Sequence, residues 1–156
     1  MPDPPRIILT VGLPGCGKST YLASLNVNPV SSDSIRRQLT DDESDQTIHA
    51  RVFALVRHIL LQRIELRRPV TYIDATNLTR RDRRPYIKMA RDHNCRIEAV
   101  WFDIPLAVCK ARNAGRARVV PAMAMDLLAA RFIPPSTSEG FDHVFCNRSD
   151  LQASQY

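Results

Sequence analysis

The sequence predicts an α/β fold with a parallel sheet of about five strands flanked by helices. Strand-like and helix-like segments alternate along the 156 residues, which is the pattern of βαβ units. The run Gly12–Ser19 fits the phosphate-binding pattern G-x-x-x-x-G-K-[ST] and stands between an apolar stretch and a helical one. The length suits one domain, so we expect residues 1–156 to form a single unit, with flexible ends at 1–5 and 151–156.

The flanks of this phosphate-binding loop (P-loop) supply the context that the motif requires. The apolar run Ile7–Val11 predicts a buried strand, and Thr20–Leu25 carries apolar side chains at helical spacing. Glycines let the backbone approach an anion closely. The alternative is a chance glycine-rich turn, which would lack the strand before it and the helix after it. We expect Lys18 to reach the β- and γ-phosphates of ATP and the Ser19 hydroxyl to hold Mg²⁺. The predicted nucleotide-binding residues of this loop are Gly12, Gly15, Cys16, Gly17, Lys18, Ser19 and Thr20.

The later elements follow from hydrophobic periodicity and from prolines. We expect the P-loop strand near the sheet centre and ligands at the carboxyl edge of the strands. Thr79 predicts a helix N-cap, with Asp82 as its capping-box partner. The long helix is expected to bury one stripe that includes Leu55 and Ile59, beside a second stripe, and the helix after Pro105 to bury Ala107, Val108 and Ala111. The expected strands are 29–31, 70–73, 97–102 and 143–146, and the expected later helices are 46–68, 79–94, one from Pro105 and one from Pro121.

Composition and charge limit the class of protein. The formal charge is +6, and residues 57–96 contain 11 Lys or Arg against 4 Asp or Glu. A basic surface attracts polyanions, although a solvated arginine-rich helix face explains the same charge. The four cysteines show no C-x-x-C pair or zinc spacing, so we expect reduced thiols. Without a signal peptide or an apolar run of about 20 residues, we expect a cytoplasmic protein with no membrane partner.

Several motifs together resemble one enzyme family. Ile8–Gly12 continues into Gly17–Thr20, and is followed in order by Ser32–Arg36, Asp74–Asn77, and Arg112–Arg116 with Pro121 beyond. In this order, over residues 6–121, they resemble the kinase domain of polynucleotide 5′-hydroxyl kinases. The closing Glu139–Asp142 through Phe145 is similar to the ends of related bacterial P-loop kinases. The resemblance implies a P-loop kinase-like fold with a small helical lid at about 112–121.

The resemblance also implies roles for the residues after the second strand. Asp33 corresponds to the general base for the attacking hydroxyl, and its position after a strand places it at the ligand edge of the sheet. The alternative is that Ser31, Ser32 or Asp33 only caps the following helix. Arg36 lies one turn further and corresponds to the residue that grips the acceptor's phosphate. The alternative for Arg36 is a surface arginine.

Lid and metal residues are implied in the same way. Arg112 corresponds to a nucleotide-binding lid arginine, and Arg116 to the one that contacts the transferring phosphate. The segment from Arg116 to Pro121 is one residue shorter than the expected pattern, so Arg118 is a rival for that role. Asp74 ends an apolar strand, where a carboxylate near Mg²⁺ is expected, or it forms a local turn with Thr76 and Asn77.

The sequence thus predicts a Mg²⁺-dependent enzyme that moves the γ-phosphate of ATP to the 5′-hydroxyl of RNA or DNA. The basic segment with Arg80, Arg81, Arg83 and Arg84 is the candidate for more distant phosphates, or else only the exposed face of a helix. A kinase for a nucleoside, sugar or antibiotic hydroxyl is the alternative, followed by a regulatory ATPase. A GTPase switch is disfavoured, because D-x-x-G is absent and Asn147–Asp150 matches the guanine-reading motif N-K-x-D poorly.

Overall fold

The protein is built on a five-stranded parallel sheet. The computed structural model describes residues 2–148; Met1, Ser149, Asp150 and the tail 151–156, expected to be flexible, lie outside the described residues. The strand order is β2-β3-β1-β4-β5, which puts the strand before the P-loop at the centre, as predicted. The strands are β1 (Arg6–Val11), β2 (Val30–Ser31), β3 (Val70–Asp74), β4 (Arg96–Phe102) and β5 (His143–Asn147).

The register brings three chain segments together at one edge of the sheet. In the centre, Leu9 of β1 lies opposite Ile73 of β3 and Ala99 of β4, and all three are buried. Parallel strands end at the same edge, so the segments that follow β1, β2 and β3 meet there. This edge collects the P-loop, the start of the next helix at Ser32, and Asp74.

Helices cover both faces of the sheet and enclose two apolar clusters. One cluster contains side chains of α2, α3 and α4, and the other contains side chains of the P-loop, α5 and α6. The two-sided burial explains why β1 is a nearly continuous apolar run. The helices are α1 (Lys18–Ser24), α2 (Ser32–Thr40), α3 (His49–Glu65), α4 (Arg80–Asp92), α5 (Leu106–Ala114) and α6 (Ala122–Arg131), with a 3₁₀ turn at Thr137–Glu139.

The buried faces of two helices differ from the prediction. In α3 the buried stripe is Val52, Val56, Leu60 and Ile64, one residue every four positions, whereas Leu55 and Ile59 are 37% and 36% exposed. A helix that lies on a sheet buries one stripe of side chains, so the stripe with Leu55 and Ile59 faces outward.

In α5, Cys109 and Asn113 are the buried residues, and Ala107 and Ala111 are exposed. The small alanines fit either side of a helix and therefore predicted the wrong face. Pro105 and Pro121 stand at the N-caps of α5 and α6, one residue before the helical turns in which they were expected.

The start of α4 agrees with its sequence signal. The Thr79 hydroxyl accepts a hydrogen bond from the Asp82 amide, and the Asp82 carboxylate accepts one from the Thr79 amide, both at 3.1 Å. The predicted capping box is thus confirmed. Within residues 2–148, no helix is both long and apolar enough to cross a membrane.

Candidate active site

The P-loop forms one wall of a large cavity at the carboxyl edge of the sheet. The cavity has a volume of about 1350 Å³. Gly15 and Gly17 line it with left-handed φ angles of 80° and 104°, and Gly17 is the N-cap of α1. A Cβ atom at Gly15 would lie 2.5 Å from the Cys109 carbonyl oxygen, so α5 leaves no room for a side chain there. The loop therefore needs glycine for both backbone conformation and close packing.

Lys18 and Ser19 stand at the base of this cavity. The Lys18 ammonium is buried and donates hydrogen bonds of 2.9 Å to the carbonyl oxygens of Gly12 and Leu13. Ser19 and Thr20 are exposed, and both line the cavity. A fixed ammonium beside exposed hydroxyls suits the oxygens of a bound triphosphate.

Asp33 lies in the same cavity, at the start of α2. Capping of α2 is done by Ser31, whose hydroxyl accepts from the Ser34 amide at 3.2 Å, so Asp33 is free of that task. The Asp33 side chain is 44% exposed, and its Oδ1 atom accepts from Arg36 Nη1 at 3.0 Å and from Arg118 Nη1 at 3.2 Å. Both ion pairs use the same oxygen.

Arg36 is a buried arginine that still lines the cavity. The residue is 4% exposed, and among the described residues its Nε atom has no hydrogen-bond partner. A buried guanidinium hydrogen without a partner costs free energy until an acceptor arrives. The surface-arginine alternative is thus wrong for Arg36, whereas its neighbour Arg37 is exposed.

Three arginines approach the cavity from α5 and from the segment between α5 and α6. Arg112, Arg116 and Arg118 all line it. The loop is pinned by Asn113, whose side chain donates to the Val120 carbonyl at 2.7 Å and accepts from the Val120 amide at 3.0 Å. In this conformation Arg118, and not Arg116, contacts Asp33. The sequence offered Arg118 only as a rival, and it missed the role of Asn113, for which it carries no signal.

Asp74 ends β3 and faces the same cavity. Burial raises the pKa of the Asp74 carboxyl, and the charge of Lys18 lowers this pKa in part. The alternative Asx turn is not needed to hold this loop, because the Asn77 side chain bonds back to the Thr10 carbonyl at 2.8 Å.

The described residues offer few metal ligands. No group of three or more His, Cys, Asp or Glu that could hold a metal ion occurs within residues 2–148. The cavity provides the Ser19 hydroxyl and the Asp74 carboxyl. This sparse oxygen set fits Mg²⁺, which in phosphate-binding sites takes most of its ligands from phosphates and water.

One arginine of the basic segment lies elsewhere than expected. Arg83 is fully buried and forms a bidentate ion pair with Glu139, with N–O distances of 2.9 and 3.0 Å. Its third hydrogen bond, of 2.9 Å, goes to the Asn77 carbonyl. Arg83 is therefore closed to distant phosphates. Exposed side chains remain at Arg80, Arg81 and Arg84.

The fold and the site together have the features of one class of protein fold. The parts of a P-loop kinase fold are present: a central strand, a glycine-rich loop, a helix with Lys18 and Ser19, and arginines of α5 and the α5–α6 connection that line the same cavity. The chain belongs to the AAA_33 family, described as an AAA domain, whose profile matches residues 7–135. No curated protein sequence matches the chain.

Solved structures share this fold at low sequence identity. The chain is similar to a chain of the Pnkp1/Rnl/Hen1 complex, at 23% identity and a TM-score of 0.62 over 78% of this chain. It spans 42% of that longer chain. A fungal RNA kinase is similar at 18% identity and a TM-score of 0.60, over 94% of this chain and 76% of that one.

A third similar structure is the APS kinase CysC of Mycobacterium tuberculosis in complex with AMPPNP and APS. It shares 18% identity and a TM-score of 0.61, over 99% of this chain and 96% of that one. The predicted P-loop kinase fold with a parallel five-stranded sheet is thus confirmed.

Proposed function

We propose that the protein transfers the γ-phosphate of ATP to the 5′-hydroxyl end of RNA or DNA. The observation that carries the proposal is one cavity shared by the P-loop and by a carboxylate–arginine pair from α2. Phosphoryl transfer needs positioning and charge neutralisation rather than elaborate covalent chemistry. A carboxylate can take the proton of an attacking hydroxyl, and a guanidinium can bind an anionic group of the acceptor.

The nucleotide side of the site is formed by the P-loop and the lid arginines. Lys18 neutralises the β- and γ-phosphate oxygens, after exchanging a hydrogen bond to its own loop for one to phosphate. Arg112 and Arg116 both line the cavity; in this proposal Arg112 would bind the nucleotide and Arg116 would neutralise the transferring phosphate. Ser19 and Asp74 would hold Mg²⁺, which supplies charge neutralisation at the phosphates when bound.

Asp33 handles the proton on the acceptor side. Both arginines bind Oδ1, which leaves Oδ2 for the incoming hydroxyl. As the hydroxyl oxygen bonds to the γ-phosphorus, its proton passes to Asp33 and the bond to the bridging oxygen of ADP breaks. Arg36, which lines the cavity, would bind a phosphate of the acceptor through its guanidinium group.

A small-molecule hydroxyl is the second candidate acceptor, and one observation favours it. Glu43 lines the cavity, and its neighbours in sequence, Asp41 and Asp42, are exposed. A carboxylate cluster at the entrance disfavours a long polyanion. Structural similarity extends to both an RNA kinase and an APS kinase, so the fold alone leaves both candidates in place.

A labelled-ATP transfer assay distinguishes these acceptors. The assay compares oligonucleotides that end in 5′-OH with the same oligonucleotides already phosphorylated at the 5′ end, beside a panel of nucleosides and sugars. We expect label only on the 5′-OH oligonucleotides, and less of it as salt rises, because salt weakens phosphate contacts. Label on a sugar or nucleoside alone contradicts the polynucleotide proposal. Hydrolysis of ATP without transfer of label to any acceptor indicates a regulatory ATPase.

A further inference from the structure

An aromatic pair lines the candidate active-site cavity. His49 and Phe53, one turn apart at the start of α3, have ring centroids 4.7 Å apart and an interplanar angle of 43°. Both residues line the same cavity as Arg36 and Asp33. The roles proposed above for the phosphate and the hydroxyl leave these two rings without a function.

The pair is built to present a ring surface. Phe53 is half-buried and packs against the core cluster, which fixes its position. His49 is exposed and lies four residues earlier on the same helix face, so that its ring contacts that of Phe53. The exposed His49 ring, held against the half-buried Phe53 ring, offers an aromatic face on which a planar ring can stack.

Asp33 and Arg36 line the same cavity as the aromatic pair, and the three together match the groups of one nucleotide. Asp33 and Arg36 are joined by an ion pair of 3.0 Å, so the proton acceptor and the anion-binding guanidinium are neighbours. In one nucleotide unit the 5′-hydroxyl, the 3′-phosphate and the base all branch from a single sugar. A sugar or a simple alcohol offers no planar ring for the aromatic pair.

We propose that His49 and Phe53 stack against the base of the acceptor's terminal nucleotide and thereby set acceptor choice. The inference rests on the proposed function, because it assigns the third group of the same acceptor. The preferred acceptor is a nucleoside unit whose 5′-hydroxyl meets Asp33, whose 3′-phosphate meets Arg36 and whose base meets the aromatic pair. Stacking recognises any base, so we expect weak discrimination among the four.

The test compares two oligonucleotides that differ only at the 5′-terminal sugar, which carries its base in one and is abasic in the other. The wild-type protein should favour the first by roughly 5- to 150-fold in kcat/KM, the value of one stacked base. His49→Ala and Phe53→Leu should reduce this preference to below about threefold, since leucine keeps the apolar packing but loses the ring. In both variants kcat/KM for the abasic oligonucleotide should fall much less than kcat/KM for the oligonucleotide that carries its terminal base.

His58→Ala is the matched control, since His58 is an exposed histidine of the same helix and does not line the cavity. It should keep the wild-type preference. Thermal melting of each variant distinguishes unfolding from a loss of preference for the base-bearing oligonucleotide. Because His49 is exposed, His49→Ala tests the idea even if Phe53→Leu unfolds.

The outcomes separate the inference from the proposed function. Equal use of both oligonucleotides by the wild-type protein overturns the stacking role and leaves the proposed function standing. An equal loss on both acceptors in His49→Ala also overturns it, because that result shows a role outside base contact. Transfer to neither oligonucleotide overturns the proposed function, and the inference with it.

Discussion

Asp33 is the residue on which the proposed chemistry depends. It receives a guanidinium from α2 and another from the α5–α6 connection, so that opposite walls of the cavity meet at one carboxylate oxygen. The ion pair to Arg118 spans 85 residues of sequence, which makes it a contact of the folded site rather than of local structure. Arg118 therefore orients the Asp33 carboxylate, the group that we propose as the general base.

Replacing Asp33 by asparagine tests its role as the base. We expect kcat to fall by about two to four decades, since an amide cannot accept the hydroxyl proton, while ATP binding persists. Steady-state kinetics and a nucleotide-binding titration measure the two effects separately. Asp92→Asn is the matched control, because Asp92 is an exposed carboxylate that does not line the cavity. Near-normal turnover in Asp33→Asn contradicts the assignment.

At the scale of single elements, local chemistry explains helix ends better than helix faces. The capping box of α4 is written in adjacent residues, and its two hydrogen bonds form as the sequence predicts. The buried face of α3 depends on which side meets the sheet, and both of its apolar stripes were equally good candidates. Tertiary packing decides which stripe is buried, and it leaves the stripe with Leu55 and Ile59 exposed.

Loss of the α4 cap should be measurable as stability. Thr79→Ala removes the acceptor for the Asp82 amide, and we expect the free energy of unfolding to fall by about 1 kcal/mol. Chemical denaturation followed by circular dichroism gives this value. Thr79→Ser retains the hydroxyl and should recover most of the loss; if serine is as harmful as alanine, the cap is not the cause.

At the scale of the whole molecule, one buried network connects the end of the chain to the P-loop strand. Glu139 pairs with Arg83, Arg83 donates to the Asn77 carbonyl, and the Asn77 side chain donates to the Thr10 carbonyl in β1. Gly140, with a φ of 118°, turns the chain so that Phe141 enters the core. The closing motif that resembles related kinases is thus explained by packing.

Breaking this network should be costly. Glu139→Gln leaves the Arg83 charge buried without its partner, and we expect a loss of about 3–5 kcal/mol in the free energy of unfolding. The matched control is Asp92→Asn, which breaks the exposed ion pair with Lys88 and should change the free energy of unfolding far less, because water screens exposed charges. Equal losses in the two variants, measured by denaturant titration, contradict the structural role of Arg83.

The sequence predicted the parts of the site that lie close together along the chain. The P-loop, its flanking strand and helix, and the pair Asp33 and Arg36 are all separated by short, regular spacings. Contacts between distant segments could not be predicted in this way. Arg83 lies in an arginine-rich stretch that is typical of a surface, and its partner Glu139 is 56 residues away. The choice between Arg116 and Arg118 depends on the loop that Asn113 pins.

Strand β2 stands at the rim of the sheet and pairs with β3 through two residues, Val30 and Ser31. The side chains proposed to receive the acceptor follow within residues 33–53, whereas the phosphate cradle hangs from the central strand. Mutations in one region should therefore change acceptor specificity without changing ATP binding. Exchanging this peripheral stretch should redirect the enzyme to another alcohol while its use of ATP is preserved.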